Sequence, residues 1–422
     1  MRGRIKTILA IALFFIFLIA TGIGLYVIFF RQMTALPPSS GGSSTTTEGQ
    51  GTLQGAGDYT GGTSVGGTGQ GGSLPDSGSQ TGGTGDQTFT PTAPGTTRTP
   101  QTVVLSQDIT QALSPSPDGK SVRYYNPDDG KFYTVDTNGV IQAMSDKSFV
   151  NVDGVTWGNQ SDQAIMSFPD GSNILYDFTA EKQSTLPKHW EDFTFSSDDG
   201  TIVTKSIGTS SDSRFLVLAN PDGSEAVAIE PLGNNAGKTY PAWTGNGQIV
   251  AYAETGSAQG INAQEIILVG QNHENYQSLQ VEGRGFEPLW SPSGNTVLYS
   301  VWTIENDYRP VLWVSGGAPG NMNENRRNLG VQTWAHKCTW YGETTVYCAV
   351  PEDMPTGAGL QPSLYTTLID RIVKIDLASG NITGVGKPDG NLSIRNPSVT
   401  DDGKYLLFSD TLTGRLYSYR LY

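Results

Sequence analysis

Few residues in this 422-residue chain are of a type and spacing that could perform chemistry. The three histidines, His189, His273 and His336, are isolated, and none has a nearby nucleophile from which a triad could be built. Gly62-Thr-Ser64-Val-Gly66 spells G-x-S-x-G, but that pattern marks a nucleophile only on a strand–turn–helix elbow, and here it sits in low-complexity sequence. The two cysteines, Cys338 and Cys348, lie symmetrically about Glu343 in a predicted hairpin. Opposed strand residues approach closely enough for side-chain contact, so a structural disulfide is expected, with a free-thiol pair as the alternative. A metal site would need two more ligands. Asn126-Pro-Asp128-Asp129-Gly130, Asp198-Asp199-Gly200 and Asp401-Asp402-Gly403 contain parts of a calcium loop. None completes D-x-[DN]-x-[DN]-G with a distal glutamate, and hairpin turn chemistry accounts for all three. No cofactor is therefore expected, with calcium as the alternative.

What must position any functional residue is a repeat. From residue 109 onward, a short apolar segment with an aromatic residue is followed by a polar turn with Asp or Gly, then a β-rich run and a second hairpin. Instances are Pro115-Ser-Pro-Asp-Gly119, Phe193-Thr-Phe195-Ser-Ser-Asp-Asp-Gly200, Pro241-Ala-Trp243-Thr-Gly-Asn-Gly247, Pro288-Leu-Trp290-Ser-Pro-Ser-Gly294 and Pro397-Ser-Val-Thr-Asp-Asp-Gly403. Two more begin at Val155 and Cys338; the units at Phe193 and Cys338 are the irregular ones. Asp folds back on the backbone and Gly supplies the positive φ that closes the hairpin. Seven units over 102–422, on the order of 46 residues each, match the roughly 40–45 residues of a four-stranded propeller blade. An all-β seven-bladed propeller is predicted, with six or eight blades as alternatives. The inner-strand aromatics Trp157, Phe195, Trp243, Trp290 and Trp340 are expected between blades. The last repeat runs out after three strands, and 102–106 can supply the fourth, closing the ring without an open edge.

These Trp/Phe-Ser-Pro-Asp-Gly-Lys-like turns resemble the WD-repeat-like units of TolB-type propellers, also found beside the hydrolase domain of prolyl-oligopeptidase-like enzymes. The resemblance covers 102–422 only. It implies the fold, and by analogy a partner among envelope proteins; the chain has no room for a hydrolase domain and shows no TolB-type α/β domain. Ser196-x-Asp198-x-Gly200 also resembles the start of a sialidase Asp-box, without the closing Thr-Trp.

Residues 8–30 are uncharged and apolar, long enough to span a hydrocarbon core as a helix. Arg2, Arg4 and Lys6 precede them, so residues 1–7 are expected in the cytoplasm and the rest outside. A cleaved signal peptide is the alternative, but its apolar region is shorter, roughly 7–15 residues, and no small-x-small site follows this one. Residues 31–101 are dominated by Gly, Ser and Thr with almost no aliphatic residue, the composition of a disordered linker. Its role is reach, on the order of 40–50 Å for such a coil. The chain carries 26 basic and 40 acidic residues; the first 101 hold five basic and four acidic, which leaves −15 on the propeller. A nucleic-acid partner is therefore not expected.

In a four-stranded blade the first-to-second and third-to-fourth turns share one face, and the second-to-third loops share the other with the inter-blade connections. The short Asp-Gly turns are all expected on the first face. Insertions at 208–213, 255–263, 302–309 and 351–366 are expected on the second, over blades 3 to 6, with 316–327 a long exception on the first. Loops on a rigid scaffold carry binding, and Trp302, Tyr308, Arg309 and Tyr365 are the candidate binding residues. The expected function is a membrane-tethered extracytoplasmic scaffold without catalysis, engaging an envelope protein or cell-surface polymer. The alternative is a hydrolase or lyase acting on glycans, lactones or peptides from the propeller channel.

Overall fold

The computed structural model describes residues 101–422 apart from Ala258 and Asn275. The expected membrane span and, except for Gln101, the linker lie outside these residues. Among the described residues no helix is long and apolar enough to cross a membrane.

The described chain forms seven four-stranded antiparallel sheets. The first strand, β1 (Thr102–Ser106), precedes the first full blade. Blade 1 is β2 (Gln111–Pro115), β3 (Ser121–Asn126), β4 (Lys131–Asp136) and β5 (Ile141–Ala143). Blade 2 is β6 (Gly154–Trp157), β7 (Gln163–Ser167), β8 (Asn173–Asp177) and β9 (Lys182–Leu186). Blade 3 is β10 (Trp190–Phe195), β11 (Ile202–Ile207), β12 (Arg214–Ala219) and β13 (Val227–Pro231). Blade 4 is β14 (Thr239–Pro241), β15 (Ile249–Ala253), β16 (Gln264–Gly270) and β17 (Leu279–Val281). Blade 5 is β18 (Arg284–Trp290), β19 (Thr296–Trp302), β20 (Val311–Gly316) and β21 (Arg327–Asn328). Blade 6 is β22 (Cys338–Tyr341), β23 (Thr345–Pro351), β24 (Asp370–Asp376) and β25 (Ile382–Gly386). Blade 7 is β26 (Ile394–Val399), β27 (Tyr405–Asp410) and β28 (Leu416–Arg420), completed by β1, which pairs Val104 with Tyr417 and Ser106 with Leu416. The fold is a seven-bladed propeller closed by strands from both ends of this region.

Each junction between neighbouring blades holds one apolar cluster, because both faces of every middle strand are covered. In β19, Val297, Tyr299 and Val301 pack toward Ile249 and Leu268 of blade 4, while Leu298 packs toward Val346 and Cys348 of blade 6. Such a strand reads as a short continuous apolar run rather than as an alternation. The inner-strand aromatics pack in these clusters, and the Trp340 indole donates to the Leu289 carbonyl of the preceding blade at 3.2 Å. Cys338 and Cys348 are directly opposed in register and joined by a disulfide, both buried in the cluster between blades 5 and 6.

The recurring turns follow the chemistry of their residues. Asp118 accepts from the Lys120 and Ser121 amides at 2.9 and 3.0 Å, and Gly119 takes φ +65°. Asp402 accepts from the Thr400 hydroxyl at 2.7 Å and the Lys404 amide at 3.0 Å. Acids in these turns also tie blades together: Asp199 accepts from the Asn159 and Gln160 amides, and Glu343 from the Ser293 amide at 2.9 Å. The Asp-Gly turns are not confined to one face, however. Asp129-Gly130 and Asp170-Gly171 join second to third strands, on the face opposite Asp118-Gly119. The same turn chemistry closes any tight hairpin, so it does not report which connection it serves.

A pH dependence follows. The Thr400 hydroxyl, then the Lys404 amide and side chain, hold Asp402 down to about 2, from an ordinary 3.8. A carboxylate lowered in the folded state contributes stability above the unfolded value and loses it as the proton binds. Stability from this turn is expected to be full above pH 3.8 and to fade toward pH 2. Asp402→Asn is expected to flatten the dependence of the thermal midpoint over that interval; an unchanged slope would contradict the assignment.

Candidate functional site: a belt of interlocked insertions

The insertions of blades 4, 5 and 6 join second to third strands and therefore share one face. Each is hydrogen-bonded to the next. From blade 4, Asn262 donates its side-chain amide to Glu305 of the blade 5 insertion at 2.6 Å. Arg284, at the start of β18, donates to the carbonyls of Gly260 and Ile261.

The blade 5 insertion turns sharply after β19. Asp307 and Tyr308 both take the left-handed conformation, φ +54° and +57°, which costs non-glycine residues energy unless neighbours over-determine it. Here the neighbour is the blade 6 insertion. Gly357 and Gly359 donate their amides to the Asp307 and Tyr308 carbonyls, both at 2.8 Å. Arg309 bridges its own turn to the next loop, with 3.1 Å contacts to Asp307 Oδ2 and Thr356 Oγ1. Gly359 lies flat against the Trp302 ring, where an added Cβ would stand 2.6 Å from Cδ1, so only glycine fits. Trp302 in turn packs on Tyr308, ring centres 5.6 Å apart.

Beneath the blade 6 insertion lies a further apolar cluster of Trp334, Met354 and Ala358, against which Tyr365 and Leu368 pack. Below it Lys337 and Asp370 form a buried ion pair, Nζ to the two carboxylate oxygens at 2.7 and 3.0 Å. Asp370 also accepts the Ile394 amide of blade 7 at 2.7 Å. Burial pushes the Asp370 carboxyl above its ordinary range, against the Lys337 ammonium and that amide, which pull it down. His336 is tied to Glu287 of β18 through both its amide, at 2.9 Å, and its ring, at 2.6 Å. The insertion is also fastened to blade 7, with the Ser393 hydroxyl donating to the Thr366 carbonyl at 2.8 Å.

The outward side of this belt sets a few exposed aliphatic side chains among polar and acidic ones such as Glu305, Asp307, Glu352 and Gln361. Leu364, on the short 3-10 turn Pro362–Tyr365, is 66% exposed, and Leu360 is 51% exposed. Ile304 and Ile261 are exposed on the adjoining insertions. Elsewhere on this face Ile109, Val150 and Leu412 are exposed, and on the opposite face Val140, Tyr341 and Tyr422, with Ile141, Val227 and Ile382 exposed at the strand ends beside it, among the described residues. Within the insertions themselves, Ile261, Ile304, Leu360 and Leu364 are the exposed aliphatic side chains among the described residues.

The candidate residues read from sequence occupy this belt in a supporting place. Trp302, Tyr308, Arg309 and Tyr365 are all partly buried, and their contacts run to neighbouring insertions or to the cluster below. The outward residues Leu360, Leu364, Ile304 and Ile261 are the ones that sequence reasoning passed over. The available signal was an aliphatic residue inside a predicted polar insertion. The blade 3 insertion stands apart, folded on itself through the Gly208 amide and the Ser213 carbonyl at 3.2 Å. Nor is His336 isolated, given its contact with Glu287. Among the described residues no three His, Cys, Asp or Glu side chains converge as a metal site would need.

No family model matches this chain, and no curated protein matches it. Solved structures do. An oligogalacturonate lyase in complex with manganese aligns at TM-score 0.52 and 13% identity, covering 76% of this chain and 93% of that one. An oligogalacturonate lyase from Vibrio parahaemolyticus aligns at 0.53 and 12% identity, with the same coverages of 76% and 93%. The Swd1 β-propeller domain from Myceliophteria thermophila aligns at 0.48 and 10% identity, covering 76% and 99%. At these identities the likeness is one of fold.

Proposed function

We propose that this chain is a binding module whose blade 4–6 belt holds a protein partner, with residues 8–30 as a membrane anchor and 31–101 as the spacer that lets the propeller reach it outside the cytoplasm. The observation that supports the reading is the interlocking of the insertions. Three consecutive loops, tied by a side-chain hydrogen bond between blades 4 and 5 and by backbone hydrogen bonds between blades 5 and 6, present Ile261, Ile304, Leu360 and Leu364 on a rigid support. Rigid presentation lowers the ordering cost of association. Aliphatic side chains favour a partner with its own apolar core patch, which a protein offers and a hydroxyl-rich polymer does not. Fold likeness to lyases carries no activity to this chain. The test is co-purification of the full chain from detergent-solubilised envelopes. A stoichiometric protein is expected with the wild type and with Val140→Asp on the opposite face, and is expected to be lost with Leu360→Asp/Leu364→Asp. Retention by that double variant, or no protein with the wild type, would overturn the proposal.

A further inference from the structure

The opposite face of the ring carries a separate cavity of about 600 Å³, within the range that small-ligand sites occupy. It opens among the turns between first and second strands of blades 2 to 5. Its walls include Trp243, Tyr252, Trp290 and Pro292, with Gln160 and Glu287 among the polar residues.

Trp243 supplies the telling observation. The repeat places a tryptophan at the same position in four blades. In three of them the indole N–H is used by the fold: Trp157 donates to Ala112 O at 2.7 Å, Trp290 to Gly317 O at 3.2 Å and Trp340 to Leu289 O at 3.2 Å. Trp243 has no acceptor among the described residues, and it lines the cavity. The Tyr252 hydroxyl and the Gln160 side-chain amide, which line it too, likewise lack a partner among the described residues. Glu287 has one oxygen engaged by His336, while the other has only the Ser300 hydroxyl, at 3.4 Å. Donors and acceptors thus stand unused beside indole and phenol faces. The structure around them is firm: Asp199 of blade 3 fixes the backbone at Gln160, accepting its amide at 2.8 Å, and Tyr252 is stacked on Tyr240 with ring centres 5.0 Å apart.

We propose that this cavity binds a neutral oligosaccharide. A pyranose offers an apolar C–H face for the Trp243 and Trp290 rings and hydroxyls around its rim for the free indole N–H, the Tyr252 hydroxyl, the Gln160 amide and the Glu287 carboxylate. A carboxylate in the wall of an acidic domain disfavours uronates and other anionic sugars. The site opens on the face opposite the insertion belt and shares with its support the Glu287–His336 contact, so the belt is free to hold a protein while the cavity holds a glycan chain.

The test is calorimetric titration of the full chain with maltotriose, cellotriose, mannotriose and chitotriose, with trigalacturonate as the anionic control. At least one neutral trisaccharide is expected to bind and trigalacturonate is not. Trp243→Phe keeps the ring and removes only the donor, and Gln160→Ala trims an exposed side chain. Each is expected to weaken binding about three- to tenfold, the worth of one hydrogen bond. Trp340→Phe, at the same repeat position in another blade, is expected to leave it unchanged. Binding of none of the four, binding unaffected by Trp243→Phe and Gln160→Ala, or equal binding of trigalacturonate would overturn the proposal. So would a proline-rich peptide that occupies the cavity in place of the sugars.

Discussion

Asp370→Ala is expected to destabilise the propeller by about 3–5 kcal/mol, the cost of leaving one partner of a buried ion pair behind. The side chains of Lys337 and Asp370 are 5% and 0% exposed. Removing the carboxylate leaves an ammonium in a low-dielectric interior and the Ile394 amide without its acceptor. The reverse change, Lys337→Met, is expected to cost less. A carboxylate can take up a proton, and burial already holds Asp370 above its ordinary 3.8, so its neutral form is the more accessible escape. The sign of this group's pH dependence opposes that of Asp402. Between 3.8 and its raised folded value the folded chain holds a proton that the unfolded chain releases, so its share of stability grows as pH falls through that window. Replacing both residues by apolar ones is expected to recover most of the loss. Urea midpoints of the three variants provide the check. A loss below about 1 kcal/mol for Asp370→Ala would mean that water reaches the pair. Because the pair joins the base of the blade 6 insertion to blade 7, a second effect is expected: the same variant loosens the belt and weakens capture of the protein partner.

The other large effect lies at the ring closure. Deleting residues 102–106 removes the strand that, among the described residues, covers the outer edge of β28. It also removes Leu105, which is buried with Leu113, Val122 and Leu407 at the junction of blades 7 and 1. Loss of a buried leucine alone costs about 2–5 kcal/mol. The bared edge then presents unpaired backbone groups, a template for pairing with another chain. The deletion is therefore expected to lower the thermal midpoint and to make the protein associate with rising concentration, both visible by calorimetry and light scattering. A monomeric variant of unchanged midpoint would show that blade 7 is stable with three strands.

Much of this architecture is legible in the sequence, because it rests on local chemistry. Asp118-Gly119 and Asp402-Gly403 announce hairpins wherever they occur, and six full units with one strand left over before them and three after them call for closure. Placement of the hairpins is less legible. Asp129-Gly130 and Asp170-Gly171 use identical turn chemistry on the other face, so a turn motif fixes a reversal but not its position in the blade. The site is less legible again. Trp302 and Tyr308 are aromatic residues in a loop, the ordinary sign of a binding residue, yet their rings pack on each other, and that of Trp302 also on Gly359, 57 residues further along the chain. The Lys337–Asp370 pair spans 33 residues of sequence, and nothing local separates these two from charged residues at the surface. Leu364 looks like stray hydrophobicity until the interlocked insertions show that it is held outward.

The most direct measurement of the central claim is site-specific photocrosslinking in intact cells. A photoreactive residue is placed in the full chain at Leu364 or Ile304 on the belt, or at Val140 on the opposite face, and adducts are resolved after irradiation. One discrete protein adduct is expected, the same from Leu364 and Ile304, and none from Val140. An adduct from Val140 alone, or no protein adduct from either belt position, would contradict it.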